Sequence, residues 1–229
     1  MLAGMMMLGS IVNPTETTAQ EKKPNSGKWR VGVTAGADYN VHSMDLQYMN
    51  DYQLAGRWGL TMGVSGQYDI NDWLGVRADL NLTQKNYRQY RVVMGKIDHR
   101  YRNNYVLLPV MASMSFGGQK LRGFCNLGVY GGYWLNSYRW GYEYNTMTDR
   151  NHEFGETMEM DSQRDQRWDC GLIGGVGLEY KLAKNWAVQA EVRYYYSTTS
   201  TRKQYMRTKD YRYNSTTAIQ IGAYYRFGK

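Results

Sequence analysis

The stretch from Trp186 to Tyr196 places Trp186, Val188, Ala190, Val192, Tyr194 and Tyr196 at every second position, with Gln189, Glu191 and Arg193 between them. A period of two is that of a β-strand with one apolar and one polar face. The polar face carries full charges of both signs, and the apolar face ends in aromatic rings. A strand that separates lipid from a polar lumen has this pattern.

Seven further segments repeat the beat. From about Lys28 to Val41, Trp29, Val31, Val33, Ala35, Ala37 and Tyr39 oppose Arg30, Thr34, Asp38 and Asn40. From about Arg57 to Ile70, Trp58, Leu60, Met62, Val64 and Tyr68 oppose Thr61, Ser65, Gln67 and Asp69. A third strand sets Leu74, Val76, Ala78, Leu80 and Leu82 against Arg77, Asp79, Asn81 and Thr83. A fourth, about Asn104 to Phe116, and a fifth, about Leu121 to Tyr138, alternate less cleanly, and Pro109 removes a ladder donor if its nitrogen faces a neighbour. The sixth, Arg167 to Lys181, opposes Trp168, Cys170, Leu172, Val176, Leu178 and Tyr180 to Asp169, Gly171, Gly175, Gly177 and Glu179. Trp186 opens the seventh, and the eighth opposes Ile219, Ile221, Ala223, Tyr225 and Phe227 to Gln220, Tyr224 and Arg226.

The connections alternate in length. Short turns at Asn71, Gly118 and Ala183 separate long polar stretches at about 43–56, 88–102, 140–166 and 199–214. Bacterial outer-membrane barrels have short periplasmic turns and longer extracellular loops. The expected fold is therefore an all-β, eight-stranded, antiparallel up-and-down transmembrane β-barrel over residues 28–229. A soluble lipocalin-like barrel is the alternative, because turning the faces inside out preserves the period. Opposite charges sharing one face in mid-strand favour the membrane form: in a narrow lumen such charges partner one another, whereas a solvated face has no need of partners. Arg77, Asp79, Glu179, Glu191, Arg193 and Arg226 are accordingly expected to form a polar network that fills the lumen and closes it to a porin's traffic.

Composition agrees with this. The chain has 22 Tyr against 4 Phe, and Tyr with Trp is the pair favoured at membrane interfaces. Apolar residues from Leu2 to Val12, followed by Thr17, Thr18 and Ala19, read as a secretory signal peptide over residues 1–19, lacking a basic n-region and cut after Ala19. Residues 20–27 would then form a short periplasmic lead. No other stretch reaches the roughly 18 apolar residues of a membrane helix. Cys125 and Cys170 fall near opposite ends of neighbouring strands and are not expected to pair.

Asp169-Cys-Gly-Leu-Ile-Gly-Gly-Val-Gly-Leu-Glu-Tyr-Lys-Leu-Ala-Lys-Asn-Trp, then Ala190-Glu-Val-Arg-Tyr, resembles the PorT-like family of outer-membrane β-barrel proteins of Bacteroidota. Tyr105-Val-Leu-Leu-Pro-Val and Asn126-Leu-Gly-Val-Tyr-Gly-Gly-Tyr are similar to further strands of that family, and the terminal Tyr225, Arg226 and Phe227 resemble its aromatic assembly signal. The resemblance spans essentially the mature chain and implies an outer-membrane barrel. The family is named for a type IX secretion component, so it also implies secretion or envelope proteins as partners. The third long connection, rich in Tyr and Met, departs from the family pattern.

Catalytic signals are weak. His42, His99 and His152 fall in or beside expected loops; His42 adjoins Ser43, but neighbouring strand residues point apart. His152 with Glu153 and Glu156 matches no closed metal-ligand spacing. No catalytic residue, cofactor or metal is expected, with a small-barrel enzyme that modifies lipid A as the alternative. The basic connections carry more information. Arg88, Arg91, Lys96, Arg100 and Arg102 form one cluster; Arg202, Lys203, Arg207, Lys209 and Arg212 form another. Net charge is +8, or +9 without residues 1–19, which hold Glu16 and no Lys or Arg. Contacts with lipopolysaccharide phosphates are expected from Arg88, Arg91, Lys96, Arg100, Arg202, Lys203, Arg207 and Lys209. Export and alternation argue against a nucleic-acid partner, and the chain is expected to be a monomer with a structural, adhesion or secretion-accessory role.

Overall fold

A computed structural model describes residues 28–44, 52–91, 96–145, 147–203 and 211–227. The expected signal segment and lead, and Arg207 and Lys209 among the expected lipopolysaccharide contacts, lie outside the described residues. Among the described residues ten strands follow one another: β1 (Lys28–Met44), β2 (Gln53–Asp69), β3 (Leu74–Gln84), β4 (Tyr87–Arg91), β5 (Ile97–Gly117), β6 (Leu121–Asn145), β7 (Arg150–Met158), β8 (Trp168–Lys181), β9 (Trp186–Ser197) and β10 (Arg212–Arg226). Eight of them close a ring in the order β1, β2, β3, β5, β6, β8, β9, β10, with β10 returning to β1, and every pairing is antiparallel. Closure leaves the ring no open edge, as lipid requires.

The faces sort as a membrane barrel and not as a soluble one. Arg77 and Arg193 are 1% and 0% exposed, while Val192 and Ile221 are 46% and 64% exposed. A soluble barrel would reverse those numbers. Aromatic pairs mark two levels on the outside: Trp29 with Tyr68 (5.0 Å) and Trp186 with Tyr225 (5.2 Å) near the short turns, Tyr39 with Trp58 (5.4 Å) and Tyr133 with Trp168 (5.2 Å) near the long connections. Trp29 and Tyr39 are ten residues apart on β1. At ~3.4 Å per residue and ~40° of tilt the levels stand roughly 26 Å apart, close to the apolar band of such barrels.

Two long connections hold more structure than their sequences suggest. The 88–102 stretch contains most of β4 and the start of β5, and the 140–166 stretch contains the end of β6 and all of β7. β4 pairs with β2 and β5, and β7 pairs with β6. Beyond the upper aromatic level these segments extend the barrel wall as the sheet β2, β4, β5, β6, β7. Gly141 has φ 151°, and a Cβ there would collide with the Asp98 carbonyl oxygen, so β5 and β6 approach in this extension only because residue 141 is glycine.

Local irregularities have identifiable causes. Between β3 and β4 the strand breaks at Lys85 and Asn86, and the gap is bridged by Lys85 N to Asn103 O (2.8 Å), Asn103 Nδ2 to Lys85 O (3.1 Å) and Asn86 Nδ2 to Trp58 O (2.8 Å). Pro109 keeps its place opposite Tyr130 on β6, while the β3 ladder skips from Ala78 opposite Val110 to Asn81 opposite Leu107 without changing offset. The missing N–H thus faces β3 and costs pairing there, not register. On β6, Leu135 is an extra residue between Tyr105 opposite Trp134 and Asn104 opposite Asn136. This bulge turns both Trp134 and Ser137 inward, three residues apart. Cys125 lies opposite Val176 and Cys170 opposite Gly131, six residues away along the same ladder, roughly 20 Å.

Candidate functional site

The lumen is filled in three tiers. In the middle tier, Arg77 donates from Nε to Asp79 Oδ1 (2.9 Å) and from Nη1 to Gln189 Oε1 (3.1 Å) and Glu191 Oε2 (3.3 Å). Arg193 reaches Asp79 Oδ2 (2.7 Å) and Glu191 Oε2 (2.8 Å). Two guanidiniums thus face two carboxylates, and Ser65, Asn126 and Tyr224 take up further positions around them. Alternation aims all four charged side chains inward from β3 and β9, which stand across the ring from one another, so that they meet at the axis.

Gln189 carries the network to the periplasmic end by donating from Nε2 to Glu179 Oε2 (2.6 Å). There Arg30 bonds Glu179 and Asp69, each at 2.6 Å, and Arg226 lies 3.3 Å from Asp69. All six expected lumen residues are therefore connected, through Gln189, Arg30 and Asp69. Those three belong to polar faces already visible in the alternation. In the upper tier, Lys85 donates to Asp169 Oδ2 (2.6 Å), and its ammonium sits 5.0–6.0 Å from the rings of Tyr105, Tyr130 and Tyr195. Sequence reasoning missed Lys85, although continuing the β3 period two residues past Thr83 reaches it. Beside this tier Leu107, Met111 and Ile173 line one wall with apolar surface.

The histidines do not assemble a nucleophile. His42 is not in a loop: it lies within β1, faces inward, bonds Asn214 Oδ1 through Nδ1 (3.0 Å) and stacks on Tyr87. Ser43, on the opposite face, donates to the Tyr213 carbonyl. His99 lies on β5 with Nε2 2.8 Å from Glu143, and burial lowers its pKa despite that carboxylate. His152 is exposed on β7, opposite Glu143. Among the described residues no group of three or more His, Cys, Asp or Glu is placed to hold a metal.

The basic residues separate into two settings. Arg88 and Arg100 stand opposite each other on β4 and β5, on the outward face of the extended sheet, and both bond Asp98, Arg88 at 2.6 and 3.0 Å and Arg100 at 3.2 Å. Partial burial pushes the Asp98 carboxyl up, but the bonds and charges of Arg88 and Arg100 outweigh it and hold the group below the usual carboxylate range. Arg57 stacks on Trp140 and Arg102 on Tyr138 on the same face, and Arg91 stacks on Tyr52. Lys96 is exposed beside β5. Arg202 and Lys203 belong instead to the rim of the upper mouth: Arg202 bridges Asp165 through its backbone, and Lys203 Nζ bonds the Ser162 carbonyl (2.9 Å). Arg57 was not among the expected contacts, because it precedes its strand's apolar run and nothing in the local pattern links it to Arg88.

Comparison with known proteins agrees with this geometry. The profile of a family described as Outer membrane protein beta-barrel domain matches residues 18–201. Among solved structures, the outer membrane protein OprG from Pseudomonas aeruginosa is similar at a TM-score of 0.52 and 14% identity, over 90% of this chain and 98% of that one. Neisserial surface protein A is similar at 0.45 and 15%, over 86% and 97%. Ail, the attachment invasion locus protein of Yersinia pestis, solved with the heparin analogue sucrose octasulfate, is similar at 0.41 and 15%, over 87% and 99%. At 14% identity the likeness to OprG is one of fold. Among curated proteins, none matches the sequence.

Proposed function

Since this chain belongs to the outer membrane protein beta-barrel domain family, we propose that it serves the bacterial outer membrane as a non-enzymatic barrel whose work is done by the sheet it holds above the bilayer. One observation carries this reading. The tiers of paired side chains block the lumen between its two mouths, which leaves the barrel's ends and outer face as its working surfaces. Directly above the aromatic level of Tyr39 and Trp58, the outward face carries Arg57, Arg88, Arg100 and Arg102, with Asp98 and Glu153 as the carboxylates beside them among the described residues. That is the height of lipid headgroups, and guanidinium is the side chain best suited to bidentate bonds with phosphate. The supported role is anchorage in lipopolysaccharide with presentation of the extended sheet for adhesion. Export by a signal peptide cut after Ala19 belongs to the same proposal.

Titration of lipopolysaccharide into the purified barrel in neutral detergent tests this. The double variant Arg88→Gln/Arg100→Gln is expected to bind about tenfold more weakly, given ~1.5–3 kcal/mol for each charged hydrogen bond, reduced by exposure. Lys203→Gln, at the inner rim, should bind as the wild type does. Equal affinity of wild type and double variant would count against the reading.

A second reading has its own observation. Among the described residues β7 pairs with β6 alone, so the other edge of an exposed strand is open to them in the extended sheet. Extended peptides add to such edges. This supports an envelope protein as partner, and the PorT-like resemblance supports a secretion-accessory role and a Bacteroidota source.

A further inference from the structure

At the opposite end of the barrel from the extended sheet, a cavity of about 310 Å³ opens between the short turns and the ends of β1, β8 and β10. We propose that this periplasmic vestibule binds a small phosphate ester. The inference is independent of the extracellular reading.

The charges around the cavity do not balance. Arg30 pairs with Glu179 and Asp69 through its two terminal nitrogens, and Arg226 shares Asp69, so two cations meet two carboxylates. Arg122, Lys181 and Lys184 also line the cavity, and Asp72 is the remaining carboxylate in its wall. Among the described residues the vestibule therefore holds an excess of two positive charges. Arg122 gives one Nη2 bond to the Asp72 carbonyl, while its Nε is buried without a partner. Lys181 and Lys184 are exposed at the opening.

A phosphate ester carries about −1.5 to −2 charges at neutral pH and offers three acceptor oxygens. It matches that excess, whereas a carboxylate supplies half the charge. Guanidinium at Arg122 and Arg226 suits phosphate by its fork, and the two lysines add mobile point charges at the entrance. The volume is at the small end of ligand pockets, of order 300 Å³, which limits the ester to a sugar-sized or glycerol-sized body. The same chemistry is presented by a free phosphate ester and by the headgroup of an anionic lipid in the inner leaflet.

Calorimetric titration of the purified full-length barrel with inorganic phosphate and with glycerol phosphate tests the site, with glycerol as the uncharged control. Saturable binding of both phosphates and none of glycerol is expected. Lys184→Glu, in an exposed turn, and Arg122→Gln should each weaken binding about tenfold. Arg150→Gln, on the exposed β7 strand at the other end of the barrel, should leave it unchanged, which separates this site from a general basic surface. Heat-modifiable gel mobility of Lys184→Glu and Arg122→Gln checks that both variants fold. In nanodiscs, displacement of bound phosphate by phosphatidic acid identifies a headgroup as the source, and lack of displacement identifies a soluble ester. Absence of saturable phosphate binding, or unchanged affinity in both folded variants, overturns the proposal.

Discussion

Arg193→Met should lower the stability of the barrel by about 3–5 kcal/mol, because it leaves Asp79 and Glu191 buried with one cation between them. The pair sits at the axis, with Arg193 and Asp79 side chains 0% exposed, so water cannot take over the lost bonds. Reversible urea-driven folding into phosphatidylcholine bilayers measures the change. The second substitution of a cycle sharpens it: with Glu191→Leu added, Arg77 and Asp79 remain as a neutral pair, and more than half of the loss should return. A structural explanation unrelated to charge, such as lost packing volume, predicts instead that Glu191→Leu deepens the loss. Arg100→Gln, on the extended sheet, should stay within about 0.5 kcal/mol of wild type in the same assay.

Val192→Arg is the other large effect, and it probes the outside of the same strand. Val192 lies between the aromatic levels, paired with Val176 and Ile219 on its neighbours. Arginine on the lipid face of a barrel costs about 2–4 kcal/mol near the midplane and about 0–1 kcal/mol near the interface. Val192→Arg should therefore destabilise bilayer folding by the larger amount and Tyr196→Arg by the smaller. On a soluble barrel with this wall in water, both would be near neutral. The depth dependence is the discriminating result, because unfavourable strand propensity alone would affect the two sites alike.

The two substitutions sit on neighbouring positions of β9, where the sequence was most legible. Trp186 to Tyr196 alternates without interruption, because one side meets lipid and the other a polar lumen along its whole length. β5 and β6 alternate poorly for two separate physical reasons. Leu107 and Met111 face inward on β5, so that strand is apolar on both sides, and the bulge at Leu135 shifts the parity of β6. β4 and β7 left no periodic trace. Arg150 to Met158 is exposed along nearly its whole length, and a strand with water on both faces has no reason to alternate. Lumen residues were legible by parity, which is how Arg77, Asp79, Glu179, Glu191, Arg193 and Arg226 could be grouped. Which of them touch was not, since contact across the ring depends on tilt and stagger. Lys85 was hidden by the break after Gln84, and the basic outer face by the distance in sequence between Arg57 and Arg88.

The polar side chains also explain why the ends of the barrel matter more than its interior. A cavity of about 80 Å³ under His42, Tyr87 and Tyr105 lies at the upper mouth and the larger vestibule at the lower one, with the charged tiers between them. The upper tier is anchored by the Lys85 and Asp169 pair, and Ser197 and Tyr130 hold the other oxygen of Asp169 in place. Fixing both carboxylate oxygens leaves the pair little freedom to open a path for ions.

Single-channel recording of the purified barrel in planar lipid bilayers tests this arrangement most directly. A lumen closed by the Arg77, Asp79, Glu191 and Arg193 cluster predicts insertion, seen as heat-modifiable protein recovered from the bilayer, with no steady conductance steps. Long-lived ohmic steps from the folded wild-type barrel would contradict it.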